Sequence, residues 1–186
     1  MGYTESRRYG GCVVQRVLEP HPHLATLCGS GLSGVRVGVA RSASTSETYR
    51  AVIKLNRGDL ITDNFEHGMS GNFLGHVNTD TGRIERVVAG TGLEMEELDY
   101  HPGTGQPFRD FKVPDWDEIK RITIALGAAL PGLPLIGIDV IPSNNGPVVL
   151  EINTPGDFDL LQFAARRGVL AEPSMKELFK DLIGPS

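Results

Sequence analysis

The chain has 186 residues, of which 40% are hydrophobic and 22% charged, a composition that suits one soluble domain and excludes a fibrous or disordered protein. Its net charge of −5 excludes a general binder of nucleic acid or anionic membranes, because an acidic surface does not attract phosphates. The uncharged run Ile122 to Ile138 is too short and too proline-rich to span a membrane. Cys12 and Cys28 lack metal-ligand spacing and are too few for a disulfide framework, so we expect reduced thiols and a cytoplasmic protein.

Apolar, β-branched segments bounded by turn residues predict a series of strands in the first half of the chain. The first is Gly11 to Val17, and a short helical turn follows at His23 to Leu27. Two pairs of segments then flank polar stretches, which predicts successive hairpins and hence an antiparallel sheet. These pairs are Val35 to Arg41 with Thr48 to Leu55, and Phe73 to Asn78 with Arg83 to Ala89.

The middle of the chain changes from loop to helix at Pro114. The segment Gly90 to Pro114 has scattered glycine and proline without periodicity, so we expect it to be mobile and to lie beside a functional site. Asp115 and Glu118 have the spacing of a capping box. Apolar residues then recur at helical spacing, at Trp116, Ile119, Ile122 and Leu126.

The last third predicts a hairpin and two helices. The strands are expected at Leu135 to Val140 and Val148 to Asn153, joined by a turn at Ser143 to Gly146, and the helices near Leu160 to Arg167 and Ser174 to Leu182. Because strands come first and helices later, the order favours an α+β domain with a mainly antiparallel sheet and flanking helices over a doubly wound sheet.

Two motifs suggest functions that their surroundings do not support. Gly29 to Gly34 matches the G-x-G-x-x-G pattern of dinucleotide sites, but it leads into a predicted strand where that pattern must open a helix, so a flexible turn is favoured. His21 and His23 could supply two metal nitrogens. They have no Cys or carboxylate partner nearby in sequence, which favours exposed imidazoles in a turn.

The predicted hairpin brings acidic residues together. If its turn is centred on Asn145, Asp139 and Glu151 face each other across the strands, and alternation places Asn153 on the same face. The other face is expected to form a continuous apolar surface beneath a helix, made of Ile138, Val140, Val148, Leu150 and Ile152.

Two opposed carboxylates repel each other unless a positive charge lies between them. A hard divalent cation is the simplest such charge, and the oxygens of Asp, Glu and Asn are ligands that Mg²⁺ prefers. The alternative is a solvent-facing hairpin that carries two unrelated acids. The spacing alone leaves both interpretations open.

With this hairpin, the chain resembles the C-terminal part of ATP-grasp enzymes, specifically the sugar-transfer-associated ATP-grasp family related to the α-L-glutamate ligases. The family has an aspartate-bearing strand, a hairpin and a strand of the form L-E-x-N, which match IGIDV and VVLEIN here. Other family motifs occur in the correct order over residues 11 to 165. They are Gln15, His21-Pro22, Val35-Arg36-Val37, Asp63-Asn64-Phe65 with Gly68, His101-Pro102 with Thr104-Gly105, and Pro114-Asp115-Trp116-Asp117-Glu118.

The resemblance implies ligands for ATP and for Mg²⁺ or Mn²⁺. Asp139, Glu151 and Asn153 would bind the metal, with Glu151 bridging two ions. Gln15 would lie at the adenine hinge, and Glu19 would approach the ribose.

The resemblance also implies residues that contact phosphates or a reacting carboxylate. Arg36, Lys54 and Asn64 match such positions, and Arg36 and Lys54 are the expected catalytic residues. Lys54 stands where relatives often have arginine, which keeps the charge but loses the bidentate fork. The alternative for both cations is an ordinary exposed position at a sheet edge, and burial beside Asp139 distinguishes the two.

The chain also departs from the family pattern. Gly68-Met69, Ser33-Gly34 and Gly103 replace usual family residues, which weakens the match at the carboxylate-binding loop more than at the metal site. The family binds ATP between two lobes, and the first lobe precedes the hinge strand. We therefore expect residues 1–186 to form one domain, the C-terminal portion of an ATP-grasp unit with its hinge strand near 11–17 and the first lobe absent. Such a chain is a fragment, a truncated gene product, or a subunit that needs a separate N-terminal lobe or a homo-oligomer as partner.

The implied function is that of an ATP- and Mg-dependent ligase core. ATP would convert a small carboxylate to an acyl phosphate, which an amine or similar nucleophile attacks, and the family association points to polysaccharide or sugar-conjugate biosynthesis. The rival hypothesis is a non-catalytic half-domain that serves as a binding or assembly module. Phosphate transfer from Mg-ATP separates the two.

Overall fold

The computed structural model describes residues 16–42, 45–58, 60, 62–156, 158–172, 175 and 178. The strands are β1 (Gly34–Arg41), β2 (Ser46–Leu55), β3 (Phe73–Val77), β4 (Ile84–Ala89), β5 (Glu96–Glu97), β6 (Leu135–Ser143) and β7 (Gly146–Asn153). The helices are α1 (Pro22–Cys28), α2 (Trp116–Ala129) and α3 (Phe158–Ala165), and short 3₁₀ turns lie at Glu66–Gly68, Gly92–Glu94 and Val169–Ala171. None of the helices in this part of the chain has the length and apolar character of a transmembrane span.

The described strands form one antiparallel sheet in the order β5-β4-β3-β2-β1-β6-β7. The predicted α+β class and mainly antiparallel sheet are therefore confirmed, and the strands predicted from 35 onward occur within three residues of their expected bounds. Arg16 and Val17 do not lie in a strand, and the rest of the predicted strand 11–17 and most of the predicted helix 174–182 lie outside the described residues.

Strand alternation gives the sheet two faces with separate apolar cores. On one face, α1 and α2 contribute Leu24, Trp116 and Ile119, which pack against buried side chains of the central strands. On the other face, Leu161 and Ala164 of α3 pack against Ala40, Val52, Leu74 and Val88. This second face also carries the buried charged residues, so α3 covers only part of it.

Helix α2 lies close to the sheet because its own residue Gly127 faces β1 and β2. Its buried residues are Trp116, Ile119, Thr123 and Gly127, so the stripe is shifted from the predicted one at its C-terminal end. A Cβ at Gly127 would lie 2.7 Å from Val39 Cγ1 and 2.6 Å from Ser46 Oγ, a distance that side chains do not tolerate. The buried Thr123 hydroxyl donates to the Ile119 carbonyl oxygen, so it needs no other partner.

The predicted capping box at the start of α2 is wrong. Asp115 has a left-handed conformation with a φ of 53°, and its side chain makes no capping hydrogen bond. Glu118 instead accepts two hydrogen bonds from Arg121, at 2.7 and 2.6 Å. The sequence spacing was right for a cap, but the backbone turns the aspartate away from the helix N–H groups.

The segment Gly90 to Pro114, expected to be a mobile loop, is hydrogen-bonded to the sheet and to itself at several positions. It contains β5 and pairs with Arg83 through Lys112, and it buries His101, Phe108 and Val113. The buried His101 ring accepts at Nδ1 from two backbone N–H groups, of Gly103 and Thr104, and Nε2 faces the Asn56 carbonyl oxygen as a donor. The His-Pro-x-Thr-Gly motif therefore closes a turn and ties it to the sheet.

We expect slow amide hydrogen exchange in this segment. The N–H groups of Leu98, His101, Phe108 and Val113 donate to backbone carbonyl oxygens at 2.8 to 3.0 Å, three of them beside buried side chains. Their protection should approach that of central strand β1, because breaking these bonds requires the segment to detach from the β3–β4 hairpin or its own turn to open. Exchange at unprotected rates throughout the segment would instead support the mobile interpretation.

We also expect Cys28 to be unreactive in the folded protein. Its side chain is fully buried at the end of α1, and burial raises the pKa of the thiol to about 11 against the opposing hydrogen bonds from Ser33 and Asn56. At pH 8 only about a thousandth of such a thiol is ionised, against about a quarter for an ordinary cysteine. In a Cys12→Ser background, reaction with a disulfide reagent should follow unfolding by urea, and rapid reaction without urea would contradict the burial.

Candidate functional site

The hairpin of β6 and β7 brings Asp139 opposite Glu151, as the sequence predicted. The turn is tighter than expected, because Ser143 pairs with Gly146 and the turn is centred between Asn144 and Asn145. A tighter turn by itself would shift the pairing by one residue. The two carboxylates meet all the same.

A β-bulge at Leu150 corrects the register. Val140 pairs with Val149, whereas Asp139 pairs with Glu151, so Leu150 is the extra residue of β7. A one-residue shift moves every side chain of a strand to the opposite face. Without the bulge, Glu151 would face away from Asp139.

The apolar face of the hairpin is only half covered. Ile138 and Val140 of β6 are fully buried, but Leu150 and Ile152 of β7 are 54% and 37% exposed. The expectation of a continuous buried surface is therefore wrong for β7. This strand is outermost in the described sheet, and α2 packs chiefly on β1 and β2.

Arg36 of β1 supplies the positive charge between the two carboxylates. Arg36 pairs with Asp139 in the sheet register, and its Nε and Nη2 donate to Oδ1 and Oδ2 of Asp139, both at 2.7 Å. Its Nη2 also lies 3.7 Å from Glu151 Oε1. The chain therefore provides its own counter-charge, which removes the electrostatic requirement for a metal at this point.

Lys54 of β2 is the second cation of the cluster. Its Nζ lies 3.5 Å from Asp139 Oδ2 and 3.4 Å from Asp63 Oδ2. Arg36, Lys54 and Asp139 are only 8%, 5% and 3% exposed, on central strands of the sheet. The alternative of ordinary exposed cations at a sheet edge is therefore wrong.

The cations keep Asp139 ionised despite its burial. Burial by itself raises the pKa of this carboxyl, but the hydrogen bonds from Arg36 and the charges of Lys54 and Arg36 outweigh it, so the pKa lies below its usual value. Asp139 is thus a buried carboxylate with two cationic neighbours. Glu151, by contrast, has a side chain that is 59% exposed.

Asp63 belongs to this cluster, although the sequence analysis named its neighbour Asn64 as the site residue. Asp63 precedes β3 on a loop that crosses β2, and its carboxylate contacts Lys54. Asn64 is exposed, and its carbonyl oxygen accepts from Asn72 Nδ2 at 3.0 Å. The Asp-Asn-Phe motif was the available signal, because it contains both residues.

Glu19 lies at the turn of the hairpin, away from the charged cluster. Its carboxylate accepts from Asn144 Nδ2, and its carbonyl oxygen accepts from the Asn144 N–H. This turn is roughly 15 Å along β6 from Asp139 at the usual strand rise. Gln15, the predicted adenine-hinge residue, lies outside the described residues.

The oxygen donors in this cluster fit a hard divalent cation in chemical type. Asn153 lies beside Glu151, to which its Nδ2 donates at 3.2 Å; Glu151 is exposed and Asn153 is partly buried. Asp139 would share its oxygens with Arg36. Among the described residues no three His, Cys, Asp or Glu side chains gather as a metal site, so the Asn153 amide would have to serve as a ligand.

Comparison with known proteins identifies relatives of this chain. The family model described as sugar-transfer associated ATP-grasp matches residues 3–177. A protein named "Probable alpha-L-glutamate ligase" from Xanthomonas oryzae pv. oryzae (strain MAFF 311018) is 32% identical over 150 residues, which cover 75% of this chain and 46% of that protein. The chain thus spans about half the length of this relative.

Two further relatives carry the same name. The protein from Xanthomonas oryzae pv. oryzae (strain KACC10331 / KXO85) has the same identity and coverage. The protein from Saccharophagus degradans (strain 2-40) is 36% identical over 52 residues, which cover 28% of this chain and 17% of that protein.

We expect Arg36→Met to destabilise the fold strongly. It leaves the buried Asp139 with Lys54 at 3.5 Å as its remaining cation among the described contacts, and removing one partner of a buried pair costs about 3–5 kcal/mol. Urea unfolding at pH 7 measures the loss. Arg121→Met, which breaks the exposed pair with Glu118, is the matched control and should have no measurable effect; equal effects would contradict the buried pair.

The same pair predicts an acid-dependent loss of stability. Because the pKa of Asp139 is lowered in the folded protein, the unfolded chain binds the proton more readily. The stabilisation is present above the unfolded value of about 4 and is lost as pH falls through the folded pKa. Asp139→Asn should flatten this part of the stability curve between pH 5 and pH 2, and an unchanged slope would contradict the assignment to Asp139.

Proposed function

The chain belongs to the sugar-transfer associated ATP-grasp family, and we propose that it forms the metal- and phosphate-binding part of an ATP-dependent ligase. One observation carries the proposal. Three oxygen-bearing side chains and two buried cations meet on one face of the sheet, where they could hold a metal-bound triphosphate. The charges of such a ligand require both kinds of group, because phosphate oxygens attract cations and the bound metal attracts oxygen donors.

The residues proposed to bind the metal and the phosphates differ in their exposure to solvent. Asp139, Glu151 and Asn153 would hold Mg²⁺ or Mn²⁺; Glu151 is exposed, Asn153 is partly buried and Asp139 is buried. When bound, the metal would neutralise charge on the phosphate oxygens. Arg36 and Lys54, which are buried in the sheet, would stabilise the transferred phosphoryl group. Asn64, which is exposed beside Asp63, would contact a phosphate or the acceptor.

The nucleotide would extend along the hairpin. Glu19 lies at the turn and the charged cluster lies at the middle of β6, so one ligand could place its ribose near Glu19 and its phosphates near Lys54. Gln15 would precede Glu19 at the adenine. The side chains would act mainly by holding the reactants in line and by balancing charge, since the chemistry itself needs little else from the protein.

The proposed reaction has two steps. A carboxylate oxygen of the acceptor bonds to the γ-phosphorus as the bond to the β–γ bridging oxygen breaks, which releases ADP. The nucleophile's nitrogen then bonds to the acyl carbon, the carbon–oxygen bond to phosphate breaks, and the nitrogen loses a proton. The buried cations would stabilise the charge on the phosphoryl group in both steps.

The substrates are proposed from the relatives. Their printed name makes glutamate the first amine or carboxylate to test, and the family description suggests a role in sugar-conjugate or polysaccharide biosynthesis. The described residues would form one wall of a cleft, and we expect a second lobe, in the same polypeptide or in a partner, to form the other. Because an open wall buries little of a ligand, these residues alone should bind Mg-ATP in the millimolar range, about −4 kcal/mol.

One observation favours the rival function, a non-catalytic binding or assembly module. Both oxygens of Asp139 are already bound by Arg36, as in a carboxylate used only for structure. A metal titration separates the two functions. A structural Asp139 would not respond to Mg²⁺, whereas a ligand for the metal would.

We expect Mg²⁺ or Mn²⁺ to raise the melting temperature and to strengthen binding of ATP. A ligand present at 100 times its dissociation constant stabilises the folded state by about 2.7 kcal/mol. Glu151→Gln should abolish the metal-dependent shift, because it removes the exposed carboxylate of the proposed site. Thermal unfolding with increasing Mg²⁺ and Mn²⁺ measures the shift.

Glu47→Gln on β2 is the matched control, since Glu47 is exposed and pairs with Ala40 at the far end of the sheet. It should behave like the natural sequence. An equal metal-induced shift in Glu151→Gln and Glu47→Gln, or no shift in any variant, would contradict the proposed metal site. Trapping with hydroxylamine, which converts an acyl phosphate to a hydroxamate, then tests glutamate and other carboxylates as acceptors.

A further inference from the structure

We propose that Asp63 is a positioning residue that holds the Lys54 ammonium beside Asp139. This inference deepens the proposed function, on which the catalytic use of Lys54 rests. Asp63 lies outside the set of proposed ligands. Its carboxylate contacts Lys54, whereas Asp139 binds both Arg36 and Lys54.

Lys54 lies between two carboxylates and is bound tightly by neither. Its Nζ is 3.4 Å from Asp63 Oδ2 and 3.5 Å from Asp139 Oδ2, whereas a strong charge-assisted hydrogen bond is about 2.8 Å long. Asp63 Oδ2 is buried and makes no hydrogen bond at normal distance. The two carboxylates therefore hold the ammonium together, and it keeps donor capacity for a further ligand.

The loop that carries Asp63 is fixed on both sides of this residue. The buried side chain of Asn72 donates to the carbonyl oxygens of Thr62 and Asn64, at 2.9 and 3.0 Å. The buried Asn56 side chain donates to Leu60 at 2.8 Å. Buried polar side chains that are fully bonded rigidify the backbone they hold, so the position of Asp63 is set by the loop and not by Lys54.

A missing side chain makes room for the Asp63 carboxylate. Gly34 begins β1 beneath it, and a Cβ at Gly34 would lie 2.3 Å from Asp63 Oδ2 and 3.0 Å from Ile141 Cδ1. Alanine at position 34 would displace the Asp63 carboxylate without removing its negative charge. Gly34→Ala and Asp63→Asn are therefore two independent ways to remove the same contact.

Chemical labelling of lysine tests the contact directly. Reductive methylation of the whole protein, quantified peptide by peptide, should modify Lys54 slowly and the more exposed Lys112 and Lys120 quickly. Both Asp63→Asn and Gly34→Ala should raise the rate at Lys54 at least fivefold and leave the rate at Lys112 unchanged. Unchanged Lys54 labelling in the two variants would overturn the inference.

Matched variants exclude general loosening of the fold. Asp80→Asn removes an Asp–Lys contact of 3.5 Å to Lys120 on the surface, and Gly132→Ala adds a Cβ in open space. Ile119→Ala destabilises the core on the opposite face. None should raise the Lys54 rate as Asp63→Asn does, and a rise in Ile119→Ala of the same size would assign the effect to unfolding and overturn the inference.

Nucleotide binding then shows whether the position of the Lys54 ammonium affects the proposed function. Asp63→Asn should weaken Mg-ATP binding about tenfold, and in a Lys54→Met background it should have little further effect. Full additivity of the two substitutions would contradict a role through Lys54. If the natural sequence binds no Mg-ATP, the proposed function fails, whereas the labelling experiment still decides the role of Asp63.

Discussion

The buried carboxylate of Asp139 is the constraint on which the rest of this structure depends. A charge that is 3% exposed inside a sheet is tolerated only if it is paired and hydrogen-bonded. The antiparallel pairing of β1 with β6 places Arg36 directly beside it, and β2 adds Lys54 from the other side of β1. The strand order of the sheet centre thus assembles the charges, and the loop with Asp63 covers them.

Much of this arrangement could be predicted because it is local in sequence. Strand alternation about a turn centred on Asn145 predicted Glu151 and Asn153 on one face with Asp139. The prediction is confirmed because the bulge at Leu150 compensates for the tighter turn. The family resemblance identified Arg36 and Lys54 as candidate site residues, and both are buried in the charged cluster. The strands of the first hairpins followed from alternation and turn residues in the same way.

What the sequence did not reveal depends on distant contacts. The Arg36–Asp139 pair joins residues 103 positions apart, and hairpin prediction does not order the hairpins within a sheet. The segment Gly90 to Pro114 lacks periodicity, yet its order comes from backbone bonds to β4 and to its own turn. The apolar residues of β7 were expected to be buried, but β7 is outermost in the described sheet and α2 packs chiefly on β1 and β2.

The bulge at Leu150 has a consequence for association between molecules. β7 is the outermost described strand on its side, and it exposes Leu150 and Ile152. A flat, apolar edge strand is a template on which another chain can extend the sheet. The extra residue interrupts the regular spacing of N–H and C=O groups along that edge, so the insertion that aligns the two carboxylates also opposes edge-to-edge aggregation.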